Sequence, residues 1–332
     1  MSGVVLLLSD DRAQYTRLLR PRTLLAVFLA STCGAQVRFT SQTDRVQVDI
    51  DGEPFTEFIF SGPDVAKPFL FPLRAASGTY VNRMWPVVQT VAGEVHDHPH
   101  QKGLWFAHGD VNGVDFWSSE KANKETKHPG KIVIVGRPET TTPGTITANF
   151  NWLDPQGSVL LAENRTMTFY PDPAQRIIDF DITLTAKRDV TFGDTKEGTF
   201  AIRLRTELQE EKGNGHIVNS AGQQTEKQAW GKPANWVDYY ADVAGEKLGI
   251  AIFDHPDNPR HPNRWHVRGY GLFALNPFGT AAFTGNPSDS DLMKLAPGKS
   301  LHYRFRVIIH PGDAESAGIE QLYTAYTKGQ LH

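Results

Sequence analysis

The sequence predicts an all-β protein: two large antiparallel sheets stacked face to face, with one short helix at the C-terminus. Three observations carry that expectation. Runs of alternating apolar and polar residues recur along most of the chain, with the two-residue period of a half-buried strand. Twenty-nine glycines and 21 prolines are spread between those runs as turn punctuation, with 11% aromatic residues. About 15 or more such runs are too many for a single compact sheet, so two stacked sheets are implied.

The first 35 residues stand apart. Arg17, Arg20 and Arg22 precede an apolar run at 23–30, and small residues follow to Ala35. A positive flank, a short apolar core and a small-residue exit describe a secretory signal. The expectation is a signal peptide with its preceding tail over 1–35, cleavage near Ala35, and a secreted or periplasmic single β-domain over 36–332. The apolar run is too short to span a bilayer. Cys33, the one cysteine, would leave with the signal. Lipid anchoring at Cys33 is the weaker alternative, because Ala30-Ser31-Thr32 makes a poor approach to a lipidation site.

From Gln36 onward the strands follow in order. Residues 37–40, 46–50 and 55–60 alternate and are separated by polar turns, including the hairpin signal Asp51-Gly52. A further run covers 69–73. Four longer runs lie at 131–135, 145–152, 158–170 and 176–186. The last is the clearest: Ile178, Phe180, Ile182 and Leu184 face one way. A strand at 199–208 puts Phe200, Ile202 and Leu204 on one face and Glu197, Thr199, Ala201, Arg203 and Arg205 on the other. Residues 210–234 read as a polar loop. Strands at 236–240, 247–253, 265–270 and 301–309 complete the series. Ile319, Leu322, Tyr323 and Tyr326 form a helical stripe, with Asp313 as its expected cap and Gly329 after it.

Chemistry concentrates at 94–117, which holds four of the 12 histidines (His96, His98, His100 and His108) with Asp97, Asp110 and Asp115. Pro99 disfavours the helical region for His98. An extended segment would then set His96, His98 and His100 on one side. Beyond Gly103, Leu104, Phe106, His108 and Asp110 would share a face. A second polar set follows on 265–270, where His266, Arg268 and Tyr270 share a face opposite Trp265. Carboxylates, amides and guanidinia on a strand-built face, dotted with aromatics, suit a polyhydroxylated ligand. The histidines fit acid–base work beside Asp97, Asp110 or Glu197. They also fit a metal set of His98, His100 and Asp110, or structural bonds to backbone carbonyls. Glu197 fits proton transfer or an ion pair with Arg203. Trp105 and Trp265 fit core packing or sugar stacking. The loop 254–262 reads as rigid by composition. With 34 basic and 37 acidic residues, net charge −3, the chain has no basic footprint for nucleic acid.

Several of these words carry a resemblance: the run from His96 to Trp105, Lys196-Glu197-Gly198, Trp230-Gly231-Lys232, the run from Trp265 to Leu272, and Asn276-Pro277-Phe278-Gly279. Together they resemble the bacterial family labelled "methane oxygenase PmoA", also known as a family of unknown function. Gln101-Lys102 departs from the basic or histidine pair the resemblance implies there. The membrane subunit that the label evokes needs several apolar helices, and no segment of that length follows residue 35. The architecture is similar to galactose-mutarotase-like supersandwiches, which host epimerases, polysaccharide lyases and sugar-binding modules. The resemblance thus implies a secreted carbohydrate-active protein, an enzyme of lyase, hydrolase or epimerase type acting on a small sugar or glycoside. The expected catalytic residues are His98, His100, His108 and Glu197. The expected substrate contacts are Asp110, Arg203, Trp265, His266, Arg268 and Asn276. No cofactor is required in that reading. The alternatives are a copper- or iron-dependent oxidoreductase using the His96–His108 cluster, and a non-catalytic carbohydrate-binding protein.

Overall fold

The structure is a computed structural model that describes residues 36–124 and 126–331; the expected signal segment lies outside them. Five strands come first: β1 (Val37–Ser41), β2 (Arg45–Ile50), β3 (Glu53–Ile59), β4 (Phe69–Phe71) and β5 (Leu104–His108). A meander follows, of β6 (Lys131–Thr141), β7 (Thr145–Leu153), β8 (Val159–Tyr170) and β9 (Arg176–Ala186). Then come β10 (Val190–Phe192), β11 (Gly198–Arg203), β12 (His216–Asn219), β13 (Trp236–Val243) and β14 (Glu246–Asp254). The last four are β15 (Arg264–Val267), β16 (Leu272–Asn276), β17 (Met293–Leu295) and β18 (Ser300–Pro311). They build two eight-stranded antiparallel sheets, ordered β1-β2-β3-β4-β5-β11-β16-β15 and β12-β13-β14-β18-β9-β8-β7-β6. Strands β10 and β17 form a small third sheet. The expected all-β two-sheet class is what the chain adopts.

The core lies between the two large sheets. On β9 the alternation works as read, with Ile178, Phe180, Ile182 and Leu184 all buried. Phe200 of β11 meets Phe180 at 4.8 Å and Phe305 of β18 at 4.5 Å, between ring centroids. Phe106 of β5 packs on Trp152, Tyr303 and Phe305 of the opposite sheet. Each such side chain contributes about 1.5–3 kcal/mol by leaving water.

These contacts fix which face of the first sheet points out. Phe106, Phe200, Leu275 and Trp265 align across β5, β11, β16 and β15 and face the core. Trp105, Ala201, Ala274 and His266 align one residue on and face away from it. Trp117, from the segment that follows β5, covers Trp105 on that outer face at 5.0 Å. Glu120 is buried between Lys67 and Lys102, at 3.3 and 3.0 Å.

Some local expectations change. The strand expected at 199–208 ends at Arg203, and a single 3₁₀ turn follows at Thr206–Leu208. The polar loop at 210–234 contains β12 and a short helix α1 (Thr225–Ala229). As an edge strand with an exposed His216, β12 carries little apolar signal. A second short helix, α2 (Thr280–Thr284), precedes the expected one, α3 (Ile319–Thr327). Gly318, not Asp313, caps α3; the Asp313 carboxylate accepts from the Ser316 amide at 2.9 Å in the turn before it.

Candidate functional site

The site begins with Asp97, which is clamped between two arginines. Arg83 and Arg203, each with a side chain only 1% exposed, donate to the same carboxylate oxygen at 2.6 and 2.8 Å. Arg83 also donates to the carbonyls of Asp97, His98 and Gln101, and Arg203 donates to the Gln101 side chain. Burial opposes ionisation of Asp97, but the His98 hydrogen bond and the charges of Arg203 and Arg83 outweigh it. Its carboxyl is held far below the usual range. Two buried guanidinium groups on one carboxylate lock the histidine loop to β11.

That clamp explains a correction. The segment 94–100 is not extended, and its three histidines do not share a side. His98 has φ +46°, in the left-handed region, because its carbonyl must turn toward Arg83. His96 stacks on Trp85 at 5.0 Å, away from the others. His98 lies parallel to Tyr270 at 5.5 Å and close to Asp97, Nδ1 to Oδ2 at 3.2 Å. His100 sits edge-on to His98 at 5.7 Å.

His98, His100 and Gln101 line a hollow of about 390 Å3 on the outer face of the first sheet. Lys196, Glu197, His266, Arg268 and Tyr270 form one side, and Asp115, Ser118, Asn123 and Thr126 form the other. Arg203 and Arg268 lie over the Tyr270 ring at 4.5 and 5.4 Å. Arg268 is held by Glu226 at 2.9 Å. Of the expected site residues, the pocket therefore gathers His98, His100, Glu197, His266 and Arg268, with Arg203 behind Tyr270.

Two carboxylates and two imidazoles set its chemistry. Burial raises the Glu197 carboxyl above its usual value, and the negative charge of Asp115 adds to the effect. Burial likewise raises Asp115, whose Oδ1 accepts the amides of Trp117 and Ser118, both at 2.8 Å. Burial pushes His100 down to about 2 and His266 down to about 3. Both rings are therefore neutral at ordinary pH, and the Nε2 atom of each is buried without a hydrogen-bond partner. Other buried polar atoms among the described residues also lack a partner, His108 Nδ1 among them, but the His100 and His266 rings line the hollow.

The remaining expected residues lie elsewhere. His108 faces the core, packed on Phe278 at 4.7 Å, with Nε2 donating to the Gly193 carbonyl at 2.9 Å; burial lowers it to about 4. Trp265 is fully buried between the sheets, and its Nε1 donates to the Ala234 carbonyl, so its ring offers no stacking surface. The Asp110 carboxylate accepts the Gly113 amide at 2.8 Å and lies where a Cβ on Gly193 would stand, 2.0 Å from Oδ2. Asn276 donates to the Thr195 carbonyl at 2.8 Å. His108, Asp110 and Asn276 thus hold the 193–198 loop from behind and present Glu197 without reaching the pocket. The expected metal set of His98, His100 and Asp110 does not fit a shared ion, because Asp110 is outside the hollow. Among the described residues no three histidine, cysteine or carboxylate side chains are arranged to hold a metal.

The sequence reading passed over Asp115 and Tyr270 as site residues. Both signals were present: Asp115 sits inside the histidine-rich stretch, and Tyr270 shares the His266 and Arg268 face.

The fold and pocket define a class: a two-sheet β-protein with an acid- and imidazole-lined hollow on the outer face of one sheet. The chain belongs to a family of unknown function, DUF6807, whose model matches residues 45–324. The comparisons support that description and not the PmoA label. No curated protein matches the chain. Among solved structures it is similar to an alpha-galactosidase from Lactobacillus brevis, at 12% identity and TM-score 0.40 over 89% of this chain and 42% of that one. It spans less than half of that protein. It is also similar to a putative aldose 1-epimerase from Escherichia coli K12, at 12% identity and TM-score 0.32 over 84% and 100% of the two chains. A galactose mutarotase-like protein from Clostridium acetobutylicum matches at 8% identity and TM-score 0.39 over 84% and 99%. Among the described residues no helix is long and apolar enough to cross a membrane.

Proposed function

We propose that the protein is an enzyme acting on a small sugar or glycoside, with Glu197 as the group that moves a proton. One observation carries this: Glu197 and Asp115, both raised by burial, share a small polar hollow with two neutral imidazoles whose Nε2 atoms are unpaired. A carboxyl raised toward working pH exchanges protons readily in either direction. Lys196, 4.0 Å from Glu197, steadies its charged form. In this reading Arg268, which lines the hollow, binds substrate oxygens, and Asp115 is a second carboxylate available to a hydroxyl or to proton transfer. That proton step is shared by lyases, hydrolases and epimerases. Export through the apolar run at 23–30 belongs to the same reading, and the N-terminal residue of the exported protein tests it.

The direct test is turnover on a broad panel of sugars, glycosides and oxidised glycosides. Glu197→Gln is expected to lower turnover by roughly 10²–10⁴-fold while sparing the fold. Absence of turnover on the whole panel would overturn the proposal. Sugar binding that persists without turnover in both wild type and variant would favour a non-catalytic carbohydrate-binding protein.

A further inference from the structure

We propose that His266 and His100 are fixed in opposite tautomers and together read two ligand oxygens, one that must donate a hydrogen and one that must accept. The inference rests on the reading of the pocket as a site for polyhydroxylated ligands and specifies what that ligand presents.

The assignment follows from partners that can play only one part. His266 Nδ1 lies 3.0 Å from the Lys196 carbonyl oxygen, which only accepts. The proton is therefore on Nδ1, and Nε2 carries a bare lone pair. His100 Nδ1 lies 3.3 Å from the Asn123 side-chain nitrogen. That amide is oriented by its 3.2 Å bond to the Ser118 carbonyl, so it is the NH2 that faces His100. His100 Nδ1 is then the acceptor, and its proton is on Nε2. Burial keeps both rings neutral, so neither gains the second proton that would erase the distinction. Both Nε2 atoms belong to pocket-lining residues and lack partners within the protein.

The consequence is a specificity. The lone pair of His266 accepts from an alcohol and repels the oxygens of a carboxylate, a phosphate, a ketone or an ether. The N–H of His100 accommodates any oxygen acceptor. The ligand group at His266 must therefore donate a hydrogen, which on an unsubstituted sugar is a free hydroxyl. Its deletion or methylation leaves a buried acceptor unsatisfied.

Two measurements test this. With histidine labelled in 15N, long-range proton–nitrogen correlation of the wild-type protein at pH 7 reports each ring's tautomer without any ligand. Signals are assigned by their loss in His266→Gln and His100→Gln. The expected result is Nδ1–H for His266 and Nε2–H for His100. The same tautomer in both rings, or a charged ring in either, overturns the proposal. The second arm measures binding of methyl hexopyranosides and their mono-O-methyl derivatives. For a sugar that binds, methylation at one hydroxyl is expected to weaken binding roughly ten- to hundredfold in wild type. The loss shrinks in His266→Leu, where no acceptor remains to be left unpaired. An equal loss in both proteins overturns the assignment. If the tautomers are as assigned but no sugar in the panel binds, the carbohydrate reading fails and the tautomer pair stands.

Discussion

The two large sheets each turn a polar, partly hollow face outward, and the proposed site lies in the smaller hollow. On the second sheet, Thr168, Asp179 and Arg306 align across β8, β9 and β18, and Thr166, Asp181 and Arg304 form the next row. With Tyr170, Tyr326 and the loop at His255 they bound about 700 Å3, against about 390 Å3 on the first sheet. Its charges are answered internally. Arg306 grips Asp179 at 2.6 and 2.9 Å, donates to the carbonyls of Gln330 and Leu331, and packs on Tyr170 and Tyr326. Arg304 is paired with Asp257, and His302 with Asp181. The first sheet's pocket instead leaves two imidazole nitrogens open beside two carboxylates raised by burial. The proposed site therefore rests on titratable groups and unspent hydrogen-bonding capacity gathered in one hollow, not on volume.

Mutating the carboxylate at the centre of each face sharpens that contrast. Asp97→Ala leaves two buried guanidinium groups without an anion and frees the His98 loop. The expected loss is about 5 kcal/mol of stability, at the upper end for a broken buried pair, together with loss of ligand binding. Asp179→Ala uncovers one guanidinium, and the Gln330 and Leu331 carbonyls still accept from it. The expected loss is about 3 kcal/mol, with turnover per folded molecule unchanged. Urea unfolding measures both stabilities. If Asp179→Ala lowers turnover or ligand binding of the folded protein, the second groove is functional and the comparison breaks.

How much of this was readable in advance follows the same divide. The strand alternation of β9 and the outward set His266, Arg268 and Tyr270 were legible, because one side of each run is polar. On β5 all five residues are buried, as are Trp265, His266 and Val267 on β15, so burial along these strands does not follow the alternation. The alternation set His108 with Phe106 and Trp265 opposite His266, as the strands have them, but it did not say which face meets the second sheet, so both were expected at the site although both face the core. The Asp97 clamp joins residues 106 apart in sequence. No local pattern announces it, and without it the loop from Glu94 to His100 read as extended. His108 was expected to be catalytic and Asp110 and Asn276 to contact substrate, but all three face the 193–198 loop from behind rather than the hollow.

A smaller effect concerns pH, where carboxylates in and beside the first sheet's pocket are shifted in opposite directions. Asp97 is lowered from 3.8, so its stabilisation is complete above that value and is lost as pH falls toward its folded pKa. Glu197 is raised from 4.5, so ionising it costs the folded state increasingly as pH climbs from 4.5 to its folded pKa. Glu197→Gln removes that cost. Its stability relative to wild type should be constant below 4.5, rise above it, and level off once Glu197 has ionised in the native protein. Urea midpoints of both proteins at several pH values check this; a difference that stays flat between pH 4 and 8 would mean that Glu197 is not perturbed.

The smallest expected effect tests the second groove where it comes nearest to resembling the first. Tyr326 is the one lining residue there with a buried polar atom lacking a partner, its hydroxyl. Its ring is fixed by Arg306 at 4.6 Å, Phe253 at 6.0 Å and His255 at 5.1 Å, contacts that need no hydroxyl. Tyr326→Phe keeps all three and removes the orphan oxygen. Stability should therefore change by no more than about 0.5 kcal/mol, and toward greater stability, because an unsatisfied buried group is lost. A loss larger than that, or any change in ligand affinity, would show that the hydroxyl has a partner in solution. Its capacity would then count as spent, unlike that of His100 and His266.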